Sequence, residues 1–122
     1  MRAIKIYCKE CEIELTSELI EISEKDLCWE DSKDIMPKNS FSILVNKQTN
    51  NKSLLVGLYD YNLKDHPDKT RFYGCCGSDG SHGLNKLCLN DHEVATEVSD
   101  CWTGCYIEFD INKVTVKDEN LE

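Results

Sequence analysis

The chain has 122 residues, of which 40% are hydrophobic and 30% are charged, a balance typical of one folded domain and not of a disordered segment. Fourteen basic and twenty-three acidic residues give a net charge of −9. Nucleic acids and anionic membrane surfaces are bound mainly through Lys and Arg, so this charge argues against both as partners. No apolar run approaches the ~20 residues that a membrane-spanning helix needs.

The beginning of the chain predicts a β-hairpin, because apolar and polar residues alternate over residues 3–7 and again over residues 12–16. Cys8-Lys9-Glu10-Cys11 lies between these two strands as the turn. Residues 19–22 continue as either a strand or a short helix, since their apolar spacing fits both. Residues 23–40 are polar, and they predict a long loop with one helical turn near residues 32–36.

The remaining elements are mostly short strands. Residues 41–45 and 54–58 predict a second hairpin around turn-forming residues. Residues 59–65 predict a short helix that ends before Pro67, and a glycine-rich loop follows over residues 74–83. Residues 87–89 form a short apolar run. Further strands are predicted over residues 92–98, 106–111 and 114–116.

Together these elements predict one α+β domain that is rich in β-structure, with a mostly antiparallel sheet and short helices. The domain extends over residues 1–118, and residues 119–122 are expected to form a frayed tail. A zinc-ribbon-like cysteine site is expected to staple the fold, because a chain of this length buries only a modest core.

The chain contains eight cysteines, which fit either disulfides outside the cell or a metal site inside it. The first residues go directly into a strand pattern without the apolar segment of a secretory signal, which favours metal ligation in the cytoplasm. Cys8 and Cys11 form a C-x2-C pair whose tight turn can direct two thiolates toward one tetrahedral ion. Glu12 follows this pair, at a position where such turns often carry a glycine.

The second half of the metal site is expected in the glycine-rich loop and the residues after it. Cys75 and Cys76 are adjacent and cannot readily bond to each other, so one is expected to bind the metal while the other faces elsewhere. Cys76 is the preferred third ligand because Gly77 follows it, and Cys88 is the expected fourth. The next candidates are Cys75, Cys101 and His92, the last because the spacing Cys88-x3-His92 would let it replace one cysteine.

Zinc is the predicted metal, because four thiolates close its tetrahedral shell, leave no position for water and so give it a structural role. The glycines of the loop are expected to let the backbone wrap around the thiolates. Outside the site, Cys28 and Cys105 are predicted to be buried, and Asp79 is predicted to cap a turn.

Residues 74–102, GCCGSDGSHGLNKLCLNDHEVATEVSDCW, resemble a motif of small uncharacterised bacterial cysteine-rich proteins. Those proteins pair an N-terminal CxxC with a later GCCGxDG…NxxC…EVxTExxDCW pattern. The resemblance implies zinc binding without implying an activity. It places six cysteines in the shared pattern, namely Cys8, Cys11, Cys75, Cys76, Cys88 and Cys101.

Two functions follow from these patterns, and no catalytic residue is assigned. The predicted function is a protein–protein interaction module, of an inhibitor or immunity type, that binds a basic protein through an acidic surface. The candidate surface consists of five carboxylates in a stretch without Lys or Arg, namely Glu93, Glu97, Asp100, Glu108 and Asp110. The alternative is a thiol-dependent enzyme or redox protein that uses Cys75 or Cys76, or the Cys8-x2-Cys11 pair.

Overall fold

The computed structural model describes residues 2–31, 33–58, 61–75, 77–101 and 103–118. These residues form nine β-strands and two short 3-10 helices. The strands are β1 (Ala3–Cys8), β2 (Leu19–Glu21), β3 (Ser40–Val45), β4 (Lys52–Val56), β5 (Lys64–Asp65), β6 (Lys86–Leu87), β7 (Glu93–Val98), β8 (Tyr106–Phe109) and β9 (Val114–Asp118). The 3-10 helices span Glu24–Asp26 and Lys69–Phe72.

All nine strands belong to one sheet, in the order β5-β6-β7-β8-β4-β3-β2-β1-β9. Neighbouring strands are antiparallel except β2 and β3, which run parallel with Ile20 opposite Ser40. The predicted β-rich and mostly antiparallel fold is therefore confirmed.

The predicted short helices are represented in the described residues only by the two 3-10 helices, and neither lies at 32–36 or 59–65, where helical structure was predicted. Within the predicted helix at 59–65, Lys64 and Asp65 form β5 because they pair with Leu87 and Lys86 of β6. Tyr59 and Asp60 lie outside the described residues. Pairing with a distant strand has here overridden the local pattern.

The first hairpin contains a break that separates its two arms. Tyr7 pairs with Glu14 in a single bridge. The hydroxyl of Thr16 then accepts the backbone N–H of Ile6 at 3.2 Å, where a regular ladder would use a carbonyl. The chain rejoins the sheet as β2, so residues 19–21 are strand and not helix. At the other edge of β1, β9 continues to Asp118, and the expected tail at 119–122 lies outside the described residues.

The sheet rolls until its two ends face each other. Five strand-to-strand steps separate β7 from β1, and in a flat sheet these steps would place them about 24 Å apart. Nevertheless Ile4 of β1 and Val94 of β7 are fully buried in the same hydrophobic core. We call the line where β1 and the turn after it face β6 and β7 the seam. A backbone hydrogen bond of 2.6 Å from Asn62 N–H to Leu15 O crosses it.

The predicted long loop covers the outer face of the sheet. Leu55 of β4 points away from the main core, as the alternation of a strand requires, and packs with Leu27, Ile35 and Met36. The helical turn predicted near residues 32–36 does not form in the described residues 33–36. Their backbone groups bond elsewhere instead, since Ile35 N–H donates to Cys105 O at 3.1 Å and Ile35 O accepts from Cys28 N–H at 2.8 Å.

Candidate metal centre

The first half of the site is the turn that follows β1. Cys8 is the last residue of the strand, and the backbone N–H of Glu12 returns to Cys8 O at 2.8 Å. Glu12 has a φ of 62°, a left-handed conformation that glycine adopts more easily. The turn therefore keeps the geometry for which a glycine was expected, with a glutamate in the strained position.

The second half is the turn between β6 and β7. Cys88 follows β6 directly, its N–H donates to His92 O at 2.8 Å, and its carbonyl accepts from Asp91 N–H at 3.0 Å. Asp91 has a φ of 71°. This tight turn places Nδ1 of His92 3.4 Å from the sulfur of Cys88.

The two turns meet at the seam, and their side chains converge. Ligand atoms of Cys8, Cys11, Cys88 and His92 all lie within 4.8 Å of one another. The Cys11 and Cys88 sulfurs are 3.8 Å apart, and the Cys8 sulfur is 3.6 Å from His92 Nδ1. Cys8 and Cys88 are fully buried, whereas Cys11 and His92 are half-buried. This Cys3His group can hold a metal ion.

The spacing of the group fits a tetrahedral ion. With metal–sulfur bonds of about 2.3 Å and a metal–nitrogen bond of about 2.0 Å, adjacent sulfurs lie about 3.8 Å apart and sulfur and nitrogen about 3.5 Å apart. The observed separations are 3.8 Å for the sulfur pair and 3.4 and 3.6 Å for the two sulfur–nitrogen pairs. The backbone N–H of Asn90 also donates to the Cys88 sulfur at 3.3 Å, so the group has a hydrogen-bond donor from the surrounding turn.

The thiols of the first turn differ in their acidity. Hydrogen bonding by the side chain of Asn90, followed by the backbone N–H of Ile13, lowers the pKa of Cys11 to about 6. Burial raises the pKa of Cys8 above its usual value. Cys11 is thus the member of this pair that more readily supplies a thiolate to a metal.

Three of the four predicted ligands, Cys8, Cys11 and Cys88, come together in this group, and His92 joins them from the further candidates. Cys76, the preferred third ligand, lies outside the described residues. Among the described residues, Cys75 and Cys101 are not members of the group. His92 was indicated by its spacing from Cys88, which a single tight turn converts into proximity.

The glycine-rich loop surrounds a buried carboxylate in its described part. Asp100 is 3% exposed and accepts the backbone N–H groups of Cys75 at 3.0 Å and Cys101 at 2.7 Å. A Cβ on Gly74 would lie 1.9 Å from Gly77 O and 2.6 Å from Asp100 Oδ2. This close approach explains the glycine at position 74.

Asn85 links the loop to the sheet, a role that sequence reasoning missed. It is fully buried, and its amide nitrogen donates to Ser78 Oγ at 2.9 Å and to Arg71 O at 3.1 Å. Its side-chain oxygen accepts Glu97 N–H at 2.7 Å. The sequence feature that could have indicated this buried residue is the position of Asn85 in a leucine-rich stretch, three residues before Cys88.

Most of the candidate acidic surface is engaged within the molecule. Glu93 binds Arg71 at 2.6 Å, and Glu97 binds the buried Lys86 at 3.1 Å. Asp100 is buried. Only Glu108 and Asp110 of the five line an open groove, whose volume is about 640 Å³ and which also contains Thr96, Asn46 and Asn112.

A second cleft, of about 610 Å³, adjoins the metal group and is lined in part by Glu10, His66 and His92. The backbone N–H of Asp68 donates to His66 Nδ1 at 3.0 Å, which leaves the proton on Nε2. That nitrogen lies 3.0 Å from Glu93 Oε2. Both ring nitrogens of His66 therefore already have hydrogen-bond partners within the molecule.

Three further residues can be compared with their predictions. Cys105 is buried, as expected. Asp79 caps a turn, as expected, with Oδ1 accepting from Ser81 N–H at 2.9 Å. The prediction that Cys28 is buried is wrong, because the neighbouring Leu27 takes the inward position and leaves Cys28 exposed.

The chain matches no protein-family model, no curated protein and no solved structure. Fold and site therefore define it by class, as a β-rich chain with a rolled, mostly antiparallel sheet and a Cys3His group that can hold a metal ion. Within the described residues, no helix has the length and apolar character that crossing a membrane requires.

Proposed function

We propose that this chain is a zinc-stapled binding domain in which Cys8, Cys11, Cys88 and His92 hold one structural Zn²⁺. The observation that carries the proposal is the convergence of three thiols and one imidazole nitrogen within 4.8 Å from opposite ends of the sheet. Strand pairing alone does not require these four side chains to converge, whereas binding of one shared cation accounts for their convergence.

The donor set favours zinc over other metals. Thiolates and imidazole suit Zn²⁺, which accepts four such ligands in a tetrahedron, whereas Mg²⁺ and Ca²⁺ prefer oxygen. Three thiolates reduce the ion's charge to a net −1, which the Asn90 N–H at the Cys88 sulfur offsets in part. Four protein ligands leave no open position for a water molecule, and this favours a structural role over catalysis.

The ion would stabilise the fold at the seam, where the strands of the described residues do not pair with one another. The seam joins β1 and its turn to β6 and β7, which are distant in the hydrogen-bonded order. Metal binding energy in such a site is folding energy, because the unfolded chain has no preformed group of ligands. We therefore assign zinc the role that disulfides play in small secreted domains.

Metal analysis with a chelator tests this proposal. The purified protein should contain one zinc per chain, and EDTA should remove it and lower the midpoint of urea unfolding followed by circular dichroism. Restoring Zn²⁺ should restore the midpoint, whereas Mg²⁺ should not. A zinc-free protein that unfolds at the same urea concentration as the loaded protein would contradict the proposal.

A basic protein is the partner that the charge favours. The net charge is −9, and Glu108 and Asp110 line the groove of about 640 Å³ beside amide and hydroxyl side chains. The groove would then receive an arginine- or lysine-bearing segment of that partner.

A charge-reversal pair tests this role. Binding of a labelled arginine-rich peptide, measured by fluorescence anisotropy, should weaken in Glu108→Lys/Asp110→Lys. It should persist in Glu18→Lys/Glu24→Lys, which changes the net charge equally at exposed positions outside the groove. Equal weakening in both pairs would show that binding responds to net charge alone and would contradict the groove as the binding site.

The thiol-enzyme alternative has less support. Cys8 and Cys11 belong to the metal group, and Cys75 is an exposed thiol in the glycine-rich loop. Titration of thiols in the protein as purified, together with its zinc content, separates the two functions. Masked thiols at Cys8, Cys11 and Cys88 favour the structural site, and rapid reaction at Cys8 and Cys11 without bound metal favours the redox pair.

We also propose that the protein works in a reducing compartment, the cytoplasm. Six cysteines of the described ranges are free thiols, namely Cys8, Cys11, Cys28, Cys75, Cys88 and Cys105, and a zinc–thiolate centre persists where thiols are kept reduced. Eight cysteines alone would have fitted an oxidising compartment equally well.

A further inference from the structure

The three thiols of the metal group differ in their access to solvent. Cys8 and Cys88 are fully buried, whereas Cys11 is half-buried on the turn after β1. A dissolved oxidant therefore meets Cys11 first. The sulfur of Cys88 lies 3.8 Å from that of Cys11, across the seam and 77 residues away in the chain.

We propose that Cys11 and Cys88 form a reversible disulfide that replaces the metal as the clamp across the seam when the protein meets a peroxide. This inference rests on the proposed zinc centre. The pair joins the same two turns that the metal joins, so oxidation changes the chemistry of the clamp and keeps its position in the fold.

The reaction balances with hydrogen peroxide as the two-electron oxidant. The Cys11 thiolate attacks one peroxide oxygen, the O–O bond breaks, hydroxide leaves and Cys11 becomes a sulfenic acid. The Cys88 thiolate then attacks the Cys11 sulfur, forms the S–S bond and displaces a second hydroxide. Peroxide is reduced, two thiolates are oxidised, and Zn²⁺ is released because Cys8 and His92 alone remain as ligands.

The geometry requires only a local adjustment. The two sulfurs must approach from 3.8 Å to the S–S bond length of about 2.05 Å. Both cysteines belong to turns and not to strand interiors, since Cys11 follows β1 by three residues and Cys88 directly follows β6. The strands can therefore keep their pairing while the turns close.

The competing product is a Cys8–Cys11 disulfide within one turn. That product would also release zinc, but it would leave β1 unconnected to β6. A Cys11–Cys88 disulfide therefore keeps a covalent link across the seam, whereas a Cys8–Cys11 disulfide does not.

Peptide mapping identifies the product. The zinc-loaded protein is treated with one equivalent of hydrogen peroxide, zinc release is followed with a chromophoric indicator, and remaining thiols are alkylated. Trypsin cuts after Lys9 and after Lys86, and Asp-N cuts before Asp91, so Cys8, Cys11 and Cys88 fall on three different peptides. We expect one disulfide-linked pair, residues 10–25 with 87–90, formed in step with the release of one zinc.

Controls and outcomes separate this inference from the zinc proposal. Cys75→Ser and Cys28→Ser remove exposed thiols outside the group, and they should leave the rate of zinc release unchanged. If the protein carries one zinc before oxidation but forms a Cys8–Cys11 disulfide or releases no zinc, the proposed Cys11–Cys88 disulfide is contradicted. The proposed zinc site is not contradicted by that result. Protein without zinc before oxidation contradicts the proposed function itself.

Stability of the oxidised protein gives a second readout. In the presence of EDTA, the oxidised protein should keep its urea midpoint near that of the zinc-loaded form. Adding dithiothreitol with EDTA still present should lower the midpoint to that of the reduced, zinc-free protein. Equal midpoints before and after dithiothreitol would show that the disulfide does not act as a clamp.

Discussion

The sulfur of Cys8 lies 3.6 Å from Nδ1 of His92, although 84 residues separate them along the chain. Cys8 ends β1 and His92 immediately precedes β7, two strands that lie five steps apart in the sheet. Contact between them is possible only because the sheet rolls. The proposed metal would therefore act on the tertiary closure of the molecule and not on one local turn.

His92→Ala should weaken zinc binding by more than about 100-fold, because the loss of a direct ligand exceeds the usual effect of removing a residue that only hydrogen-bonds to a ligand. Competition with a chromophoric chelator measures the affinity. Cys76→Ser is the matched comparison, and it should retain one zinc per chain at unchanged affinity. The opposite ranking, with zinc lost from Cys76→Ser and kept by His92→Ala, would make Cys76 the fourth ligand.

Glu12→Gly should raise the free energy of unfolding by about 1 kcal/mol, because glycine adopts the left-handed conformation at this position without steric cost. Glu12 has a φ of 62°. The matched control is Glu10→Gly, which removes the same charge from the same turn at a residue without positive φ. It should lower stability by about 0.5 kcal/mol. Urea unfolding of the zinc-loaded proteins measures both, and a decrease for Glu12→Gly would refute the explanation of the turn.

Asn85→Ala should lower the free energy of unfolding by about 2–4 kcal/mol, because it leaves the partners of a fully buried amide without their hydrogen bonds. Zinc content should stay at one per chain, since Asn85 does not touch the metal group. Asn112→Ala, at an exposed residue, should change stability by less than about 0.5 kcal/mol. Equal stability of the two variants would show that Asn85 does not link the loop to the sheet.

The local parts of the candidate site could be predicted from the sequence. The C-x2-C spacing indicates that Cys8 and Cys11 share a turn, and the spacing of Cys88 and His92 indicates a second turn, because both depend on residues a few positions apart. The strands with clear alternation, such as β7 and β8, follow from the same short-range reasoning.

The closure of the sheet could not be predicted in this way. Whether β1 meets β7 depends on the order of nine strands and on how far the sheet rolls, and neither is encoded in a local pattern. Asn85 shows the same limit, since its bonds reach Arg71, Ser78 and Glu97 in separate segments. Short segments such as β5 also escaped prediction, because their structure comes from a partner strand and not from their own residues.

X-ray absorption at the zinc edge tests the central claim most directly, because it counts the ligand atoms and measures their distances. We predict three sulfurs at about 2.3 Å and one nitrogen at about 2.0 Å, and we expect the nitrogen to disappear in His92→Ala. Four sulfurs without a nitrogen, or a shell dominated by oxygen, would contradict the Cys3His centre.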